Sequence, residues 1–231
     1  MPALRMKPLS TVALTAFAAL WCVAALNWPF WARVSEVQQL RSLHDAAFLA
    51  SLAALAFVAV NLFLSVLTLV RPLAKPLLAL AVLLGALASY FALAYGVLID
   101  KVMIRNVFET DALEAGELVT LKLLAYVSLL GVLPAILILR VPLARPSWRK
   151  ELLHRAVMLA AMAGAVALVG VFFYQNHAAL LRNNRELRHL LSPVNYLAGT
   201  ASYLTEVNRK PLPYDPIGDG ARIGARLAPA A

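Results

Sequence analysis

The chain has 231 residues, of which 62% are apolar and 14% charged, and it carries a formal net charge of +9 with a mean hydropathy of +0.76. A soluble domain is about half apolar, so these values exclude one and require an integral membrane protein. The positive charge is dispersed over connectors and the tail and accompanies no nucleic-acid motif, which favours anionic lipid headgroups as partners over nucleic acid.

Apolar runs at residues 8–30, 48–70, 76–99, 121–139 and 152–174 each reach the roughly 20 residues that cross the hydrocarbon at 1.5 Å per residue. They predict an all-α integral membrane fold of five transmembrane helices. The first run is longer than the h-region of a secretory signal and ends at NWPFW without a small-residue cleavage site, so it is expected to persist as an anchor. The single cysteine, Cys22, lies inside it and rules out a disulfide within the chain. Arg5, Lys7, Arg71, Lys75, Arg140, Arg145, Arg149, Lys150 and Arg155 fall on one side of the predicted bundle. The alternate connectors hold fewer cations, Arg33, Arg41, Lys101, Arg105 and Lys122. The positive-inside rule then predicts a cytoplasmic N-terminus and a periplasmic C-terminus, with residues 100–120 and everything after Tyr174 outside the cytoplasm. Trp28 and Trp31 fit an interfacial belt, and Gly85, Gly164 and Gly170 stand where close helix approach would be useful. Asn61, the one strongly polar residue deep in a span, reads either as an interhelical hydrogen bond or as part of a transport path; with no second polar span, the bond is favoured.

Beyond the last span, residues 176–208 set Leu180, Leu187 and Leu191 against Arg182, Arg185, Arg188 and His189. That pattern predicts an amphipathic helix on the outer surface of the bilayer, followed by a second helix in VNYLAGTASYLTEV. Residues 209–231 read as an extended linker with no hydrophobic period, a composition that ordinarily leads into a further domain.

The most polar stretch between membrane-length runs is YGVLIDKVMIRNVFETDALEAGELVT, residues 95–120. Asn106, Thr110 and Glu114 recur at steps of four, so a continuous helix would align an amide, a hydroxyl and a carboxylate, with Glu117 near the same stripe. Such a face could hold a cationic headgroup with its neighbouring phosphate. Asp111 and Glu114 also form an acidic capping box for the fourth span. Spacing leaves cap and ligand site equal for Glu114 and favours the cap for Asp111. Lys101 and Arg105 fit a solvated connector equally well. His44, His154, His177 and His189 are dispersed without zinc-site spacing, and Thr110 has no base beside it, so the motifs carry no catalytic centre.

Three stretches, SYFALAYGVLIDKVMIRNVFETDALEA, GVLP at Gly131 to Pro134, and RNNRELRHLLSPVNYL, resemble the membrane domain of the lipid A phosphoethanolamine transferases, a family that includes the mobile colistin-resistance enzymes. Its best-marked element is N-x-x-x-T-D-x-x-E, met here as Asn106, Thr110, Asp111 and Glu114. The resemblance implies an enzyme of the bacterial inner membrane that moves phosphoethanolamine from phosphatidylethanolamine to lipid A phosphates through a phospho-threonine and zinc. It also implies that the amide and carboxylate matching Asn106 and Glu114 help form the lipid substrate site, which raises the ligand reading of Glu114. In that family the nucleophile and the zinc ligands sit in a periplasmic domain after the linker. This chain is therefore expected to hold no cofactor, to be inactive alone, and to need a catalytic domain supplied separately or lost. The alternative is a noncatalytic membrane scaffold or accessory subunit, with a small transporter a distant third.

Overall fold

Inside hydrocarbon a backbone must satisfy its own polar groups, and a chain this apolar does so by forming helices. The computed structural model describes residues 8–97, 101–109 and 116–208. Among the described residues every regular element is helical, apart from one isolated parallel bridge between Leu9 and Leu143. The helices are α1 (Thr11–Leu26), α2 (Trp28–Val37), α3 (Leu43–Leu67), α4 (Arg71–Tyr95), α5 (Lys101–Glu109), α6 (Leu121–Arg140), α7 (Trp148–Asn183), α8 (Leu187–Leu190) and α9 (Val194–Val207). Helices α3, α4, α6 and α7 are each long and apolar enough to cross a membrane, and α1 with α2 makes a fifth candidate only as a pair bent by 56°.

The bend divides the first expected span, residues 8–30. Pro29, at the start of α2, has no N–H to give the preceding turn, and α1 loosens into a π-helical turn over Cys22–Leu26. A second π-helical turn, Ser128–Val132, interrupts α6. Its cause is Pro134, which cannot donate to the carbonyl of Leu130 four residues earlier. The Trp21 indole N–H donates to that Leu130 oxygen instead, at 3.1 Å, and so ties α1 to α6.

At one end of the bundle, residues 8–10 lie beside the connector after α6: Leu9 donates to Pro142 O at 3.0 Å, and Ala144 donates back to Leu9 O at 2.8 Å. Arg155 closes the same end by donating to Ser65 O and Thr68 O while paired with Glu151 at 3.1 Å. The main core forms where α1, α3, α4 and α6 meet, around Leu26, Val60, Leu64, Leu78, Val82 and Ala86. Lipid supplies no hydrophobic drive between helices, so close packing matters here. A Cβ on Gly85 would come 3.0 Å from Leu26 Cδ1, and one on Gly131 would come 3.0 Å from Ala86 Cβ. The expectation for Gly164 and Gly170 fails, because a Cβ at either would meet nothing within 4 Å. Both lie on α7, which is only 11% buried over its apolar window and packs mainly on α3.

Candidate functional site

The opposite end of the bundle is covered by α2, α5, α8 and α9, and a few buried side chains hold this cover in place. Asn27, in the bend, is fully buried. Its Nδ2 donates to Ser192 O at 2.8 Å and to Cys22 O at 2.8 Å, while its Oδ1 accepts from Ser192 N at 2.7 Å. One amide thus satisfies the loosened turn of α1 and both main-chain groups of a residue in the tail. Arg33 of α2 adds an ion pair to Glu186 at 2.9 Å. The hydrogen bond from its own backbone N–H, and then the Arg33 guanidinium, hold the Glu186 carboxyl below its usual range. Leu180 and Leu187 pack into a second core with Phe30, Val34, Phe48 and Leu52.

The tail therefore departs from the expected surface helix. Residues 176–183 continue α7, whose 36 residues extend about 54 Å at 1.5 Å per residue, well beyond the roughly 30 Å of hydrocarbon. The apolar stripe of Leu180 and Leu187 faces protein, because the bend in the first helix opens a space that these side chains fill. Trp31 is likewise tied inward, its indole N–H donating to Val23 O at 2.7 Å, whereas Trp28 remains exposed.

Helix α5 rests chiefly on α9. Arg105 pairs with Glu206 at 2.5 Å, with the two side chains 36% and 44% exposed. Such a solvated pair contributes at most about 1 kcal/mol, so its effect is to fix position. Arg105 is thus engaged across the interface and is more than a solvated connector charge. Asn106, next to it, is exposed on α5. Thr110 and Glu114, and Asp111 with them, lie outside the described residues. The cap of α6 falls to another residue: Thr120 accepts from Leu123 N at 3.1 Å, and Tyr90 pairs with the same hydroxyl at 3.0 Å. Ser89 and Tyr126 form a second hydroxyl pair at 2.8 Å, joining the end of α4 to the start of α6. Gly96, in the left-handed region at φ 65°, closes α4 where a side chain would be strained.

Asn61 is buried, and its Nδ2 donates to Met162 Sδ on α7 at 3.4 Å, the interhelical contact expected of it. Ser51 and His177 meet at 2.9 Å, but the Ser51 hydroxyl proton is spent on Phe48 O at 2.6 Å. His177 Nε2 must then donate to Ser51 Oγ, which leaves Nδ1 as the acceptor. The pair is a structural contact and holds no activated nucleophile. Among the described residues no three His, Cys, Asp or Glu side chains gather as a metal would require, so these residues do not fit zinc.

Residues 56–207 match the phosphoethanolamine transferase EptA/EptB family. The chain belongs to this family. Phosphoethanolamine transferase EptA of Escherichia coli strain K12 is 31% identical over 219 residues, covering 94% of this chain and 40% of that protein. Phosphatidylethanolamine transferase Mcr-1 of Escherichia coli is 29% identical over 188 residues, 81% of this chain and 34% of that one. The solved structure of the integral membrane protein lipooligosaccharide phosphoethanolamine transferase A from Neisseria meningitidis superposes with a TM-score of 0.81 at 30% identity, covering 90% of this chain and 39% of that chain. The chain thus spans about 40% of the length of such EptA relatives and corresponds to their N-terminal membrane domain. The range matched to the EptA/EptB family contains α4 to α9, with Asn106, Glu186, Ser192 and Glu206. Asn27, Glu186 and Glu206 were not singled out by sequence reasoning. The signal for Asn27 was an amide directly before Trp-Pro at the end of an apolar run, whereas the two glutamates carried none.

Proposed function

We propose that the chain is the membrane part of an inner-membrane phosphoethanolamine transferase that binds phosphatidylethanolamine at its periplasmic face and presents it for transfer to lipid A phosphates. Asn106, Thr110 and Glu114 hold the donor headgroup. The carboxylate of Glu114 meets the ammonium, the amide of Asn106 donates to the phosphate, and the hydroxyl of Thr110 adds a further polar contact. The supporting observation is the fixing of α5 on α9 by the Arg105–Glu206 pair, at the end of the bundle where Asn27 holds the tail. A headgroup site needs such a support, because an amide on an unanchored helix would lose as entropy much of what its contacts contribute. The nucleophile and the zinc belong to a catalytic domain outside these residues, and the 231-residue chain alone is expected to give no turnover.

The test is a chimera joining this chain to the remainder of the Neisseria meningitidis relative. Asn106→Ala and Glu114→Ala should each lower lipid A modification about tenfold or more at unchanged membrane abundance, the effect of about 1.4 kcal/mol or more lost from the reacting complex. Glu114→Gln separates charge from hydrogen bonding and should be nearly as damaging. Full activity in all three variants would remove the assignment, as would a periplasm-dependent reporter that stays silent when fused after Ala231.

A further inference from the structure

The end of the bundle opposite α5 carries a cavity of about 470 Å³ lined by Arg71, Pro72, Lys75, Leu143 and Arg145, within the size range of small-ligand sites. Three of its five lining side chains are cations. Lys75 Nζ donates to Leu139 O at 2.8 Å, and the Arg71 guanidinium donates to Ala144 O, so both are held in place by neutral carbonyls. Among the described residues no carboxylate pairs with Arg71, Lys75 or Arg145. Helix α4 starts at the same place with no side-chain cap on its first turn, which adds the positive end of its dipole. Like charges collected in a concavity with low-dielectric walls repel one another and draw in a counter-ion.

We infer that this cavity binds the phosphate of an anionic phospholipid headgroup. One feature favours a lipid over a free phosphate: Pro72 and Leu143 give the cavity an apolar wall, against which an acyl chain can lie while its phosphate meets the three cations, as in basic pockets between membrane helices that take acidic lipids. The site is separate from residues 100–120 and does not rest on the proposed transferase reading.

The experiment is native mass spectrometry of the purified full chain, titrated in parallel with phosphatidylglycerol, phosphatidylcholine and inorganic phosphate. Phosphatidylglycerol should be retained in preference to phosphatidylcholine. Each neutralised cation removes roughly 1 kcal/mol, which converts to about fivefold in affinity. Arg145→Gln should therefore weaken phosphatidylglycerol retention about fivefold, and Lys75→Gln with Arg145→Gln about 25-fold. Arg182→Gln, at the other end of α7, should leave it unchanged. Arg71 stays intact because it also holds the connector. Equal retention of the two lipids, or undiminished phosphatidylglycerol binding in the double variant, would overturn the site. Charge-dependent binding of inorganic phosphate without lipid retention would overturn the lipid assignment.

Discussion

Replacing Asn27 by alanine removes three hydrogen bonds of 2.7 to 2.8 Å in one step. It also leaves Ser192 N, Ser192 O and Cys22 O without that partner, in a place where Asn27 and Ser192 are 0% and 4% exposed. At roughly 1 kcal/mol net per bond, the loss is about 3 kcal/mol, and the stranded groups carry it toward ~5 kcal/mol. For a chain of this size, the lower figure corresponds to a fall in melting temperature of roughly 10 °C. Thermal unfolding in detergent, followed by tryptophan fluorescence, measures it. Amide hydrogen exchange should show protection lost first across residues 187–196, since these are what the amide holds. Ser192→Ala is the control, because both main-chain groups that contact Asn27 survive, and it should shift the midpoint by far less. A melting temperature within about 2 °C of the parent for Asn27→Ala would refute the reasoning, since ~3 kcal/mol cannot hide in that interval.

Trp21→Phe leaves the Leu130 carbonyl freed by Pro134 without its donor and should cost about 1–2 kcal/mol in the same unfolding assay. Gly131→Leu drives a side chain into Ala86 and Leu83 and should destabilise by about 1–3 kcal/mol, whereas Gly164→Ala, with open space around it, should be neutral or stabilising by up to ~1 kcal/mol. Glu186 has its carboxyl held below the usual range by its own backbone N–H and by Arg33, so near pH 4 the native state binds fewer protons than the unfolded chain. Its contribution is complete above the ordinary carboxylate value of about 4.3 and is lost as pH falls through the folded value. Hydrogen exchange around residues 184–190 should accelerate on acidification in the parent and lose that dependence in Glu186→Gln.

Hydropathy alone revealed the helical class and the approximate positions of α3, α4 and α6, because a span in hydrocarbon needs a continuous apolar run and little else. It misjudged the ends. Gln175, Asn176 and His177 break the apolar run after Tyr174, yet all are tolerated in a helix, so α7 continues to Asn183. The tail was misread for a related reason: the pattern of Leu180 and Leu187 shows that one face is apolar, and only the fold decides whether lipid or Phe30 and Phe48 covers it. Asn106 and its surroundings stood out as polar residues between membrane-length runs, but the Arg105–Glu206 pair joins residues 101 positions apart, a separation for which no local period exists. The glycines followed the same rule: of Gly85, Gly164 and Gly170, only Gly85 meets a close neighbour, and the other close approach among the described residues is at Gly131, which the pattern had not marked for packing.

The amide of Asn27 and the main chain of Ser192 are separated by 165 positions. Synthesis runs from the N-terminus, so the first membrane segment is made with this amide still awaiting its partner, through the insertion of every later crossing. The contact that completes the cover is among the last available to the nascent polypeptide, and arrest of translation before Ser192 should yield an inserted but open bundle.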